Sequence, residues 1–213
     1  MVCRLVAMRV YVYVDGFNLY YRALKGTAFK WLNLRELAKR VLDPADTVEK
    51  VRYFTARVSA RSGDRDAPRR QQILFNALKT VPDLEFHYGR FLPKTKRRPL
   101  VSTGKFVEVH DTEEKGSDVN LATHLLNDGW HKRYEVALVL SQDTDLIEPI
   151  RIVVRELGLK VGVVWLDGGR PNRYLAAAAS FVRHIRPADL GASQFPDPII
   201  LPSGKQLNKP PGW

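Results

Sequence analysis

The chain has 213 residues, 45% of them hydrophobic, with 34 Lys and Arg against 23 Asp and Glu and a formal charge of +11. That length and apolar share exclude a disordered chain and suffice for one sizeable domain with its own core. The positive balance, with a pI of about 9.9, favours a polyanionic partner; no apolar run approaches the roughly 20 residues of a spanning helix, so nucleic acid is expected ahead of a membrane surface.

Cys3 is the only cysteine. It cannot build a disulfide framework or a Cys-based zinc site, and it fits a reducing, cytoplasmic setting. The apolar stretch before Met8 is too short for a signal peptide, and a start at Met1 or at Met8 stays open.

Arg9 to Val14 is β-branched or aromatic and apolar on both faces, the pattern of a central parallel strand covered on two sides. Asn33 caps a helix over Leu34 to Val41. A second strand is predicted within Val48 to Val58. The polar segment Arg57 to Arg70 reads as a basic loop leading into a helix from Pro68 to Thr80, with Leu74, Leu78 and Val81 on its buried face. Leu84 to Leu92 is a third strand, Pro93 to Pro99 a second basic loop, and Lys105 to His110 an edge strand or hairpin arm. Helices are predicted over Ser117 to His131, Asp145 to Leu157 and Asn172 to Arg183, with strands at Val136 to Leu140 and Leu159 to Trp165. The Pro- and Gly-rich segment 187–213 reads as weakly ordered or draped on a single domain spanning 9–186. Strands alternating with helices predict an α/β fold, a mainly parallel sheet covered on both faces.

Four Asp residues fall where strands hand over to loops or helices. Asp15 ends the first strand, Asp118 opens the helix after Lys115-Gly116-Ser117, and Asp143 and Asp145 follow Val136 to Leu140. Taken singly, each reads as a turn or cap residue. Jointly they sit where doubly wound sheets place their sites, and converging carboxylates call for a hard cation such as Mg²⁺. Asn18 reads as a turn amide or as a group orienting a phosphate or a water. Ser141 reads as a loop cap or as a hydrogen-bond donor to a metal ligand.

The segments Tyr13-Val14-Asp15-Gly16-Phe17-Asn18-Leu19-Tyr20, Lys115-Gly116-Ser117-Asp118-Val119 and Leu140-Ser141-Gln142-Asp143-Thr144-Asp145-Leu146 together resemble the NYN domain family, relatives of PIN-domain nucleases. The resemblance implies a Rossmann-like, PIN-type three-layer sandwich and a Mg²⁺ or Mn²⁺ site. It also implies cleavage of RNA to a 5′-phosphate and a 3′-hydroxyl. By it, Asp15, Asp118 and Asp143 are the main metal-binding acids, Asp145 the fourth and Asn18 a site residue. His124 stands six residues after Asp118, where many relatives carry another Asp.

Around that site, Lys115 reads as a phosphate neutraliser or as solvated surface, and Glu114 as an outer carboxylate or surface charge. Arg57, Arg61, Arg65, Arg69 and Arg70 in one loop, and Arg90, Lys94, Lys96, Arg97 and Arg98 in the other, are candidate phosphate-backbone contacts. Tyr20, Tyr21 and Trp31 read equally as base-stacking platforms or as core and rim residues. The expected activity is a metal-dependent ribonuclease on single-stranded RNA, against a non-catalytic RNA-binding module of the same fold.

Overall fold

A strand that is apolar on both faces needs cover on both, and the first strand receives it. The computed structural model describes residues 7–60 and 62–213; the expectations for Cys3, a start at Met1 and Arg61 fall outside that range. In chain order the elements are β1 (Arg9–Asp15), α1 (Gly16–Leu19) continued by a π-helical turn (Tyr20–Leu24), α2 (Leu34–Val41), β2 (Thr47–Thr55), α3 (Ala67–Leu78), β3 (Leu84–Tyr88), β4 (Arg90–Pro99), β5 (Phe106–Lys115), α4 (Ser117–Trp130), β6 (Val136–Leu140), a 3-10 turn (Thr144–Leu146) running into α5 (Ile147–Arg155), β7 (Lys160–Trp165), α6 (Arg173–Ala178), β8 (Phe181–His184), α7 (Pro187–Ala192), β9 (Ile199–Ile200) and β10 (Gln206–Leu207).

Six strands form one all-parallel sheet in the order β3-β2-β1-β6-β7-β8. The order reverses between β1 and β6, which defines the topological switch point. Alternation along β1 sends Val10, Val12 and Val14 into a core shared with α2 and α3, and Tyr13 into a second core shared with α4, α5 and α6. The result is the three-layer sandwich.

Two segments differ from expectation, and a third takes one of its two expected forms. The helix predicted over Asn172 to Arg183 stops at Ala178, and Phe181–His184 become the edge strand β8 on β7. The Phe181 ring fills the space over Gly162, where a Cβ would come within 2.2 Å of it. The basic loop Pro93–Pro99 is a strand, because Arg90–Pro99 pairs antiparallel with Phe106–Lys115 in a separate two-stranded hairpin. Segment 187–213 is draped rather than weakly ordered: α7 and the β9–β10 pair bring Leu190, Phe195 and Ile199 into the first core.

One buried ionic network crosses the layers. Asp128, fully buried on α4, accepts from Tyr13 Oη (2.7 Å), Arg52 Nε (2.7 Å) and Nη2 (3.0 Å), and Arg133 Nη1 (2.8 Å). Burial raises the Asp128 pKa, but its Arg52, Tyr13 and Arg133 hydrogen bonds outweigh that and hold the carboxyl below its usual range. Arg52 also donates to Glu85 Oε2 (2.5 Å) and to His87 Nε2 (3.1 Å). His87 stacks on Phe54 at 4.8 Å and lies 4.0 Å from the His124 ring. Burial first, then the His124 and Arg52 charges, push its pKa down to about 4.

Asp128→Ala leaves the Arg52 guanidinium buried without its bidentate partner. We expect a loss of about 3–5 kcal/mol in urea unfolding; a loss below about 1 kcal/mol would show the network to be dispensable. A His with a depressed folded pKa contributes stability that is complete above the unfolded value of about 6.5 and is lost as pH falls toward 4. The urea midpoint should therefore drop across that window, and His87→Gln, which keeps an acceptor for Arg52, should flatten the drop.

Candidate active site

The switch point gathers three chain crossings at the carboxyl ends of β1, β6 and β7. Asp15 ends β1, is buried, and caps α1 by accepting from Asn18 N (2.9 Å); its other oxygen accepts from Ser141 Oγ (3.0 Å). Ser141 Oγ in turn accepts from Asp143 N (3.2 Å), and Asp143 caps the next turn by accepting from Asp145 N (3.0 Å). Gln142 N donates to Asn18 Oδ1 (3.1 Å), while the Gln142 side chain donates to Asp167 and accepts from Leu166 N after β7. Asp15 and Asp143 thus each cap the turn that follows their strand.

Two glycines are required by close approach. A Cβ at Gly16 would lie 2.8 Å from the Tyr53 ring and 2.9 Å from Phe54 O. At Gly89, where the chain leaves β3 for the hairpin, a Cβ would meet Glu114 Oε1 at 2.0 Å and Lys115 O at 2.7 Å. This base of the hairpin delivers Asp118: Gly116 takes φ 101°, and Glu114 Oε1 accepts from Ser117 Oγ (2.7 Å) and Ser117 N (3.3 Å), capping α4 from outside.

Asp15, Asn18, Asp118 and Asp143 line one open cleft of about 530 Å³, together with Phe17, Tyr21, Arg22, Phe91, Thr112 and Glu114. Asp145 stands outside that lining and is exposed, although Asp118 feels its charge. Burial, and then the charges of Asp15, Asp143, Glu114 and Asp145, push Asp118 up to about 6. Asp15 is also raised, first by burial, with Asp143 adding to it. Among the described residues no group of three or more His, Cys, Asp or Glu side chains is gathered closely enough to hold a metal ion. The donors are nonetheless all oxygen, and their mutual repulsion is what a hard cation offsets.

The expected basic residues distribute differently. Lys96 pairs with Asp111 (2.9 Å) and Glu113, Lys94 with Glu113 (3.8 Å), Arg98 with Asp111 (3.8 Å) and Lys115 with Glu113 (3.0 Å). Arg70 pairs with Asp64 (2.5 Å), while Arg69 is exposed. None of these lines the cleft; the cation that does is Arg22, paired with Asp167 at 3.3 Å. Trp31 is core and Tyr21 is exposed at the rim. Arg22 was legible in principle, since Asn18, Tyr21 and Arg22 stand at i, i+3 and i+4 on one helical face. His124 belongs to the buried network rather than to the cleft.

Comparison with known proteins fits this geometry. The NYN domain family model matches residues 9–185. The 6-hydroxy-3-succinoylpyridine 3-monooxygenase HspA of Pseudomonas putida (strain DSM 28022 / S16) is 27% identical over 239 residues, covering 97% of this chain and 75% of that protein. A crystal structure of a protein of unknown function from Vibrio parahaemolyticus RIMD 2210633 shares the fold at TM-score 0.55 and 15% identity, over 87% of this chain and 97% of that one.

A carboxylate whose folded pKa is raised favours the protonated fold: its contribution is present below the unfolded value of about 3.9 and is lost as pH rises through about 6. Asp118→Asn should therefore raise the urea midpoint of the metal-free protein at pH 7 and leave it unchanged near pH 3.5. Because Asp118 is only partly withdrawn from water, solvent screens the repulsion and the gain is on the order of 1 kcal/mol or less. Equal stability at pH 7 would mean the acids do not repel.

Proposed function

The chain belongs to the NYN domain family, and from that premise we propose that it is a Mg²⁺- or Mn²⁺-dependent ribonuclease acting on single-stranded RNA. The observation that carries the reading is the meeting of Asp15, Asp118 and Asp143 in one cleft at the switch point, alongside Arg22 and a wall of aromatic rings. Asp15, Asp118 and Asp143 would hold the ion, with Asp145 beside them, once their side chains draw inward. The ion would supply Lewis acidity, offsetting charge on phosphate oxygens and promoting the ionisation of water near neutral pH.

The chain's own residues do the rest. Ser141 and the Asn18 backbone N–H orient Asp15 and counter part of the rise that burial gives its carboxyl. Asn18 Oδ1 is engaged by Gln142 N, so its amide N–H groups are the part left to donate to a phosphate oxygen. Arg22 exchanges Asp167 for the phosphate. Phe17 and Phe91, edge-to-face at 5.5 Å, and Tyr21 offer ring faces to unpaired bases. In the reaction a water oxygen bonds to phosphorus and gives up a proton to solvent, the bond from phosphorus to the 3′ oxygen breaks, and that oxygen takes a proton from solvent.

A second reading has one observation in its favour. The relative named a 6-hydroxy-3-succinoylpyridine 3-monooxygenase matches nearly the whole chain. Oxygenation needs O₂ and a reductant, so the two readings separate by assay.

Asp143→Asn is nearly isosteric but lacks a carboxylate charge. It should lower cleavage of a labelled, unstructured RNA in Mg²⁺ or Mn²⁺ by at least about a hundred-fold while leaving the thermal midpoint near wild type. Wild-type cleavage surviving EDTA, or a fully active Asp143→Asn protein, would end the metal mechanism. No cleavage of a broad RNA panel with binding retained would favour a non-catalytic RNA-binding module. Reductant-dependent O₂ uptake with 6-hydroxy-3-succinoylpyridine would favour the oxygenase.

A further inference from the structure

The β4–β5 hairpin is a sheet of its own, attached beside the cleft. Its ladder runs in unbroken register from Arg90↔Lys115 to Pro99↔Phe106. Strict alternation therefore sorts its side chains onto two faces. Arg90, Lys94, Lys96, Arg98 and Lys115 share one face with Asp111 and Glu113, where Lys94, Lys96, Arg98 and Lys115 are ion-paired. The Lys96 hydrogen bond and the nearby cations hold the Asp111 carboxyl below its usual range, against a smaller effect of desolvation.

The opposite face begins in the cleft. Phe91 packs on Phe17, and Thr112 and Glu114 line the same opening. Farther out on this face come Thr95 and His110, then Arg97 and Phe106. The Arg97 guanidinium lies over the Phe106 ring at 5.5 Å, and Phe106 is 61% exposed. Among the described residues no carboxylate forms an ion pair with Arg97, although Glu108 stands opposite it in the ladder. Lys94, Lys96 and Arg98 are thus ion-paired on one face, while the face continuous with the acids ends in Arg97, which lies over an exposed aromatic and is, among the described residues, in no ion pair.

We propose that this second face, from Phe91 to Arg97 and Phe106, is the binding strip for a single-stranded polynucleotide leaving the cleft, with Arg97 and Phe106 as its outer clamp. The proposal takes the identity of the cleft from the ribonuclease reading. Phe106 offers a ring face to an unpaired base, and Arg97 a guanidinium to the adjoining phosphate. The six residue steps from Phe91 to Arg97 span about 20 Å. A dinucleotide seated in the cleft does not reach the clamp, whereas a longer strand does. A duplex has its bases stacked and cannot use Phe106, so the strip selects single strands.

The test is fluorescence anisotropy on the full chain in EDTA, with labelled oligouridylate of about ten nucleotides, a uridine dinucleotide, and oligothymidylate of matched length. The long strand should bind more tightly than the dinucleotide. Phe106→Ala should weaken the long strand about ten-fold and leave the dinucleotide within about two-fold. Arg97→Gln should flatten the log–log salt slope by about 0.7. Both side chains are exposed, so the fold survives their loss. The far-face pair Lys96→Gln with Glu113→Gln keeps the net charge and should change nothing. Affinity unaltered by both clamp substitutions, an equal loss from the far-face pair, or no preference for length would overturn the strip. Equal binding of the two long strands supports a strip for either polynucleotide, and preference for oligouridylate supports one for RNA. A protein that never cleaves RNA yet loses binding through Phe106 and Arg97 would refute the ribonuclease reading and leave the strip standing.

Discussion

The buried carboxylate of Asp128 is the constraint on which the site depends. It lies near the end of α4 and is held by Tyr13 of β1, Arg52 of β2 and Arg133 beyond the helix. A buried ion pair contributes little net stability against an apolar alternative, but it tolerates one geometry only. Here that geometry sets the height and rotation of α4 against the sheet. Asp118 sits ten residues earlier on the same helix, about 15 Å toward its N-terminus. An anchor at the back of the helix therefore determines where a carboxylate appears at the front.

The front is held by opposite means. Asp15, Asp118 and Asp143 are brought together against their own repulsion, and the chain offsets that cost with hydrogen bonds from loop groups. Ser141 spans Asp15 and the backbone of Asp143, while Gln142 ties the turn after β1 to the loop after β7. Stability is given up at the cleft and supplied by the two cores beneath it.

The hairpin shows how pairing changes the meaning of a basic sequence. Pro93-Lys94-Thr95-Lys96-Arg97-Arg98-Pro99 reads as a loop of cations. Once the segment is paired with Phe106–Lys115, Asp111 and Glu113 of the second strand pair with Lys94, Lys96 and Arg98 of the first, and Arg97 is left on the other side with Phe106. Neighbouring residues acquire different electrostatic environments because a strand sends them to opposite faces.

The sequence by itself determined the sandwich and the acids of the cleft. Strands apolar on both faces can only be central and parallel, and a carboxylate directly after such a strand lies at its carboxyl end. Asp15 and Asp143 were legible for that reason, and Asp118 because Gly116-Ser117 announces a helix start. Only the tertiary structure decided β8, since Ala176-Ala177-Ala178-Ala179 favours helix until Phe181 finds the space over Gly162. It also decided the roles of Gln142 and His87, whose partners lie across chain crossings. Local pattern records which face of its own element a residue occupies. It carries no record of what the opposing element presents, and every one of these contacts is made with such an element.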